Sequence, residues 1–164
     1  MGFPLAETCL TLSGEAPRTG IPVYLVRFSG CNLNCLYCDT AQRNDARMLL
    51  SGDELFKRIK KVTAAYPGLS LLFTGGEPLM PERAPEVISL IDRLFPLLVY
   101  VETNGSVSAG NQPDNSRMVC DWKTPSSGEE GSFDLKNLSL LRPEKDCIKI
   151  VCTQSDFPWI EEKL

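Results

Sequence analysis

The chain has 164 residues, enough for one domain with a sizeable core, and we expect a single domain over residues 1–164. Its net charge of -4, with no run of Lys or Arg, argues against a nucleic-acid partner, and no apolar stretch approaches the ~20 residues that span a bilayer. The chain contains no His, which excludes His-based zinc sites and Ser-His or Cys-His nucleophiles.

The expected compartment follows from the N-terminus and the cysteines. No basic segment precedes an apolar core at the N-terminus, so we expect no signal peptide and a cytoplasmic protein. The chain contains seven cysteines. In a reducing compartment, a tight cysteine group favours metal binding or catalysis over a disulfide framework.

Short apolar runs predict strands that alternate with helices or irregular crossovers. The predicted strands cover residues 5–12 (a short edge strand), 21–28, 69–73, 97–101, 118–121 and 147–152.

The helices have sequence signals of their own. Ser51 and Glu54 match a capping box at the start of the first helix. The second is predicted to bury a face of Ile88, Ile91 and Phe95. The first predicted helix begins after residue 51 and ends before the Pro-Gly at residues 67–68. The other two cover residues 82–95 and 156–163.

This alternation predicts an α/β protein with a parallel sheet and right-handed crossovers. The polar motifs fall just after strands, at the carboxyl edge where such sheets bind ligands. A complete eight-stranded barrel needs about 250 residues, so we expect a partial, incomplete TIM-like barrel.

Cys31, Cys35 and Cys38 form a C-x3-C-x2-C loop directly after a predicted strand. Iron–sulfur clusters are normally held by four thiolates, so three local cysteines imply a [4Fe–4S] cluster with one iron open to a small molecule. A structural zinc ion would need a fourth ligand. In this chain that ligand would be Cys9, Cys120, Cys147 or Cys152.

The remaining strand cysteines favour a simpler interpretation. Cys147 and Cys152 are expected on opposite faces of one strand, so they cannot both join one site. We interpret Cys120, Cys147 and Cys152 as small buried apolar side chains.

The cysteine loop resembles that of the radical S-adenosylmethionine (SAM) enzymes, whose motif has this spacing with an aromatic residue, here Tyr37, before the third Cys. Residues 74–78 (Thr-Gly-Gly-Glu-Pro) resemble the superfamily's second motif, which receives the SAM amino group. The resemblance implies that SAM chelates the open iron. An electron from an external reductant then cleaves SAM to a 5′-deoxyadenosyl radical, which removes a substrate hydrogen.

Further segments are similar to the 7-carboxy-7-deazaguanine synthase family of queuosine biosynthesis. They are residues 7–15, 26–32, 38–40, 102–105 and 121–127. The resemblance implies a lyase that converts 6-carboxy-5,6,7,8-tetrahydropterin to 7-carboxy-7-deazaguanine and ammonia, with SAM regenerated. It also suggests a homodimer.

The resemblance also implies which residues bind which group. Substrate would be contacted by Leu12, Ser13, Gly14, Glu15, Arg27 and Thr74. SAM would be contacted by Tyr37, Cys38, Asp39, Gly76, Glu77, Asp121, Trp122 and Lys123. Thr40 would give one oxygen to a Mg²⁺ ion placed against the substrate carboxylate. In the alternative interpretation, Asp39 and Thr40 cap a following helix.

Arg27 and Glu102 are the candidate catalytic residues. Arg27 interrupts an apolar strand, and the resemblance pairs its planar guanidinium with the substrate carboxylate. The alternative is an internal ion pair with Glu15 or Glu102. Glu102 follows a strand, where an acid can bind the pterin N–H edge or handle a proton, although an N-cap or surface role is the ordinary alternative.

Two departures from the family pattern stand out. Ser13 takes the place of the usual Gln, and family members commonly continue beyond the point where this chain stops. We therefore expect a core shortened at the C-terminus. The competing hypotheses are a glycyl-radical enzyme activase and a non-catalytic module that binds zinc or transfers electrons.

Overall fold

The computed structural model describes residues 2–15, 17–40 and 44–164. A seven-stranded sheet runs through them in the order β3-β1-β2-β4-β5-β6-β7. The strands are β1 (Gly2–Leu12), β2 (Pro22–Phe28), β3 (Met48–Ser51), β4 (Ser70–Gly75), β5 (Val99–Thr103), β6 (Ser116–Asp121) and β7 (Cys147–Lys149). The helices are α1 (Gly52–Ala65), α2 (Ala84–Arg93), α3 (Asn137–Leu140) and α4 (Phe157–Lys163), with 3₁₀ turns at Pro125–Ser127 and Gln154–Asp156.

Strands β2, β4, β5, β6 and β7 are parallel neighbours, which confirms the predicted parallel α/β sheet. β1 instead pairs antiparallel with both β2 and β3. β3 pairs only with residues 2–5 of β1, so of the predicted edge strand over residues 5–12 only Leu5 has a second neighbour. With only four residues, β3 is too short for its periodicity to be visible in the sequence.

Helix α1 begins as predicted. Ser51 Oγ accepts a hydrogen bond from the Glu54 amide at 3.3 Å, and the Glu54 carboxylate accepts one from the Ser51 amide at 2.8 Å. This reciprocal pair satisfies two amides of the first turn. Leu55 and Ile59 on this helix are fully buried.

Helix α2 buries a face that shares only Ile91 with the predicted one. Its buried residues are Val87, Leu90 and Ile91, spaced as one apolar stripe. The prediction for Phe95 is wrong: this side chain is 67% exposed, because the helix ends at Arg93 and Phe95 lies beyond it. Ile88 is only partly buried, because it lies beside the buried stripe of the helix and not within it.

The sheet buries apolar residues on both faces. Val26, Phe73, Val101 and Met118 join the larger cluster, to which α1 and α2 also contribute. A smaller cluster on the other face consists of strand residues. Its buried members are Val23, Leu25, Leu72 and Tyr100. Since residues alternate between faces along a strand, the next residues on this second face are the polar ones at the strand ends.

The cysteines outside the loop only partly match their predicted burial. Cys120 is fully buried in β6, and its burial raises the thiol pKa to about 12. Cys147 is partly buried, but Cys152 is exposed because β7 ends at Lys149 and residues 150–152 leave the sheet. None of the helices in the described ranges is long and apolar enough to cross a membrane.

Candidate active site

A cavity of about 480 Å³ opens at the carboxyl ends of the parallel strands. Each of the five parallel strands contributes at least one polar residue to its wall, including Arg27, Thr74, Glu102, Asp121 and Lys149. Register places these side chains on one face, because Arg27 pairs with Thr74 and Asp121 pairs with Lys149. The sheet therefore directs a row of polar groups into one cavity.

The three loop cysteines, Cys31, Cys35 and Cys38, line the same cavity as free thiols. The loop is held from outside by the Leu36 amide, which donates to the Ser127 carbonyl at 2.9 Å. Burial raises the pKa of the Cys35 thiol, and the nearby Lys123 charge opposes this rise.

This arrangement fits a three-thiolate iron–sulfur cluster. The thiols come from one loop and face one cavity, whereas the wall of that cavity includes none of the other four cysteines. Asn104 donates to Cys31 Sγ at 3.7 Å, which is the kind of sulfur hydrogen bond that tunes such clusters. The donor set leaves one iron without a protein ligand.

The Gly75–Gly76 turn lies directly against the cysteine loop. The Gly76 amide donates to the Phe28 carbonyl, and the Glu77 amide donates to the Gly30 carbonyl, both at 2.9 Å. A Cβ atom at Gly76 would lie 2.0 Å from the Gly30 oxygen. Gly75 has a φ of 119°, a backbone conformation that side chains disfavour. Only glycines allow this approach.

Asp121 supplies an unsatisfied acceptor beside the cysteines. Its Oδ2 atom accepts from Lys123 at 2.9 Å, but its Oδ1 atom is buried and accepts no hydrogen bond from the described residues. Such an atom costs free energy unless a bound molecule donates to it. The adenosyl part of SAM carries amine and hydroxyl donors, so the site fits that cofactor.

Arg27 pairs with a carboxylate other than the two considered from the sequence. Its Nε atom donates to Glu7 at 2.7 Å, across the β1–β2 pair, so neither Glu15 nor Glu102 is its internal partner. Within the described ranges the two terminal guanidinium nitrogens make no hydrogen bond. They remain able to bind a carboxylate side by side.

Glu102 accepts a hydrogen bond from Thr74 Oγ1 at 2.6 Å. Burial raises the pKa of this carboxyl group, and the Thr74 bond acts in the opposite direction. A carboxyl group that retains its proton more readily than a free Glu is suited to exchange a proton with a bound ligand.

Thr40 and Asp39 both line the cavity, and Thr40 donates to Asp39 Oδ1 at 3.2 Å. In the alternative interpretation they cap a helix that follows, but residues 41–43, which come next, lie outside the described residues. No three Cys, Asp or Glu side chains in the described part of the chain are spaced to hold a single metal ion. A Mg²⁺ ion here would use Thr40 together with oxygens from substrate and water.

Glu77 does not reach the cavity, although it belongs to the second motif. It is fully buried, and burial raises its pKa. Its carboxylate accepts from the Leu79 amide at 2.8 Å, from Thr103 at 2.9 Å and from the Asn104 amide at 2.7 Å. The contacts therefore place Glu77 in the scaffold, where it joins the turn after β4 to the end of β5.

Two other predicted site residues also lie outside the wall of the cavity. Trp122 is buried, stacked on Phe133 with ring centroids 4.7 Å apart. Ser13 lines a small neighbouring cavity with Tyr100. The other predicted residues do line the main cavity. They are Leu12, Gly14, Glu15, Arg27, Cys31, Cys35, Tyr37, Cys38, Asp39, Thr40, Thr74, Gly76, Glu102, Asp121 and Lys123.

Sequence reasoning missed Asn104 and Lys149, which both line the cavity. Lys149 had a visible signal, because it interrupts an apolar predicted strand in the same way as Arg27 does. Asn104 belongs to the family-like segment 102–105, which gave it no role of its own, and only the fold shows its contact with Asn32 at 2.9 Å.

Comparisons with known proteins identify the family to which this chain is similar. A family model of the radical SAM superfamily matches residues 25–115. The 7-carboxy-7-deazaguanine synthase of Koribacter versatilis is 34% identical over 160 residues, which cover 96% of this chain and 69% of that protein. The protein of the same name from Clostridium acetobutylicum is 33% identical, with 92% and 69% covered. The chain thus spans about two thirds of the length of these relatives.

A solved structure shows the same fold. The crystal structure of QueE from Escherichia coli matches with a TM-score of 0.73 and 22% sequence identity, over 99% of this chain and 77% of that chain.

Proposed function

This chain belongs to the radical SAM superfamily and, within it, to the 7-carboxy-7-deazaguanine synthases, and we propose that it converts 6-carboxy-5,6,7,8-tetrahydropterin to 7-carboxy-7-deazaguanine and ammonia. The observation that carries this proposal is that Arg27, Thr74 and Glu102 share one cavity with the three loop cysteines. When bound and reduced, the cluster and SAM supply a 5′-deoxyadenosyl radical that removes a hydrogen atom from the pterin.

The residues of the cysteine loop and its neighbours hold the cofactors. Cys31, Cys35 and Cys38 would bind three irons of the cluster as thiolates. Asp121 Oδ1 would accept a hydrogen bond from the adenosyl part of SAM, since the described residues offer it no donor. Gly76 lines the cavity and would meet the SAM amino group, and its lack of a side chain lets this turn pack on Gly30. Tyr37, Asp39 and Lys123 complete this side of the wall.

The opposite side of the cavity receives the pterin. Arg27 binds the pterin carboxylate through its two terminal nitrogens, while Glu7 holds the guanidinium in place. Glu102 accepts from the amino and N–H edge and holds or releases a proton there. Leu12, Gly14 and Glu15 border the pterin from the segment after β1.

Two parts of the proposal concern groups that lie outside this chain. Thr40 would give one oxygen to a bound Mg²⁺, which would fix the pterin carboxylate as a hard, oxygen-preferring cation. An external one-electron reductant would reduce the cluster. The homodimer suggested by the family resemblance stays a prediction.

Turnover by the anaerobically reconstituted chain tests the proposal. With SAM, Mg²⁺, dithionite and the carboxytetrahydropterin, we expect 7-carboxy-7-deazaguanine, measured by mass spectrometry. Arg27→Met should raise KM for the pterin at least about tenfold, because a charged hydrogen bond to substrate is lost.

Glu7→Gln is the matched control, because it removes the ion pair of Arg27 but leaves the guanidinium in the cavity. We expect its KM to stay within about threefold of the unmodified chain, as for other partly exposed ion pairs. An equal rise in KM for both variants would show that the effect of Arg27 comes from its ion pair with Glu7 and not from a bond of its own to the pterin. Absence of deazaguanine from a chain loaded with cluster and SAM would contradict the proposed function.

A further inference from the structure

Lys149 is a charged residue of the cavity wall to which the proposed mechanism gives no role. It ends β7, at the opposite end of the sheet from β3 and β1. Its ammonium group contacts the Glu15 carboxylate and lies 3.4 Å from Asp121 Oδ2. Lys149 therefore joins the segment after β1 to the end of β6 across the cavity.

The two carboxylates depend on Lys149 to different degrees. Asp121 has a second cation, because it also pairs with Lys123 at 2.9 Å, and both of these side chains are largely buried. Glu15 has no other ion pair within the described ranges. Loss of the Lys149 charge would therefore leave Asp121 paired but Glu15 without a cation.

The backbone hydrogen bonds that the described residues show for the segment carrying Glu15 hold it toward β2. The Ser13 amide donates to the Ile21 carbonyl at 2.8 Å, and the Gly20 amide donates to the Ser13 carbonyl at 2.7 Å. These bonds close the turn toward β2. Among the described residues, the 48% exposed Glu15 side chain has its one ion pair with Lys149, at the far wall of the cavity.

Lys149 also offsets the negative charge of this wall. Burial raises the pKa of Glu102 most, the Glu15 charge adds to the rise, and the Lys149 charge lowers it. Glu15, Glu102 and Asp121 all line the cavity, so the Lys149 cation reduces their repulsion of an anionic ligand such as a carboxylate.

We propose that Lys149 is a positioning residue for the pterin: through Glu15 it holds the segment of Leu12 to Glu15 at the cavity and lowers the negative charge that the substrate carboxylate meets. The inference rests on the proposed function, because that function assigns this segment to the pterin. It predicts a selective effect, in which pterin binding depends on Lys149 and SAM binding does not.

Calorimetry on the reconstituted chain tests this selectivity, with the cluster oxidised and no reductant, so that no turnover occurs. For Lys149→Met we expect Kd for the carboxytetrahydropterin to rise about tenfold, which is about 1.4 kcal/mol. Kd for SAM should change less than about twofold, because Lys123 still pairs with Asp121. Lys149→Arg keeps the charge and should restore pterin Kd to within about threefold.

Lys145→Met is the matched control. Lys145 pairs with Asp114 at 3.0 Å, and neither residue lines the cavity, so both Kd values should stay unchanged. Unchanged pterin binding in Lys149→Met, or equal losses for pterin and SAM, would overturn the inference.

Amide hydrogen exchange without any pterin gives an independent readout. Lys149→Met should speed exchange across residues 13–20 several-fold, roughly as expected when a local anchor is lost, and Glu15→Gln should reproduce this change. Lys145→Met should not. Unchanged exchange in Lys149→Met would show that the contact between Lys149 and Glu15 does not hold this segment in place. That conclusion would not depend on the identity of the substrate. If the unmodified chain binds no pterin, the proposed function fails, and this exchange comparison still decides the contact.

Discussion

Glu77 and Glu102 are two buried carboxyl groups with different tasks. Burial raises the pKa of both. Glu77 accepts three hydrogen bonds and does not line the cavity, whereas Glu102 accepts one from Thr74 and does line it. The number of internal partners thus separates a carboxylate of the scaffold from one that remains free to bind a ligand.

Glu77→Ala should lower the free energy of unfolding by about 3 kcal/mol, because it leaves two buried backbone amides and the Thr103 hydroxyl without an acceptor. Urea denaturation measures this change. Glu130→Ala is the control, since Glu130 is exposed and should change stability by less than about 0.5 kcal/mol. Equal small effects would mean that the Glu77 contacts do not hold the turn to β5.

Glu102→Gln should lower kcat/KM for the pterin by about 100-fold, the usual effect of losing an acid–base group.

The same substitution should also change how the free energy of unfolding depends on pH. Because burial raises the pKa of Glu102 in the fold, the folded chain binds more protons than the unfolded chain between the two pKa values. The stability that the protonated Glu102 side chain contributes is therefore present below its pKa in the unfolded chain. It is lost as the pH rises through its pKa in the folded chain.

The Gln side chain stays neutral, so Glu102→Gln should gain stability relative to the unmodified chain between about pH 4 and about pH 8. Denaturation at both pH values checks the sign. Glu144 is exposed, and Glu144→Gln should show no such trend. A Glu102→Gln difference that does not vary with pH would show that the carboxyl titrates normally.

At the level of elements, the turn that ends β4 packs against the loop that follows β2. Gly76 meets Gly30 at a distance that excludes a Cβ atom. The backbones of the second motif and of the cysteine loop are therefore a single packed unit. A change in one should alter the other.

Gly76→Ala should displace the cysteine loop and lower iron and sulfide bound per chain after reconstitution by at least about half, since the added Cβ meets rigid backbone. Gly131→Ala is the control, because a Cβ there has no neighbour within 4 Å. Full iron loading in Gly76→Ala would show that the two loops are not coupled.

The elements that could be predicted from the sequence are those with a strong local pattern. The apolar run of β2 and the capping box of α1 are examples. β3 and α3 have only four residues each, too few for a period to show. The buried face of α2 was misplaced because its end at Arg93 depends on packing that periodicity does not record.

The candidate site was predictable where its chemistry lies in one short motif. The cysteine loop, Arg27 and Glu102 all line the cavity as expected from their places at strand ends. The Glu7 partner of Arg27 and the role of Lys149 depend on which strands become neighbours, which no local pattern states. Glu77, predicted to contact SAM, lies buried outside the cavity wall, because a motif names its residues without saying which of them point inward.

At the level of the whole molecule, the parallel strands bring residues distant in sequence to one cavity. Arg27 on β2 and Lys149 on β7 lie at its opposite sides, with the cysteine loop above the strand ends between them. The central claim is that this one cavity holds the cluster, SAM and the pterin together. A radical formed there would meet the pterin and little else.

The most direct test is one anaerobic reaction of the reconstituted chain with SAM, Mg²⁺, dithionite and the carboxytetrahydropterin, in which 7-carboxy-7-deazaguanine and 5′-deoxyadenosine are both quantified. The account predicts that deazaguanine accumulates in large excess over 5′-deoxyadenosine, because SAM is regenerated when the radical meets the pterin in the same cavity. Accumulation of 5′-deoxyadenosine without deazaguanine would contradict it.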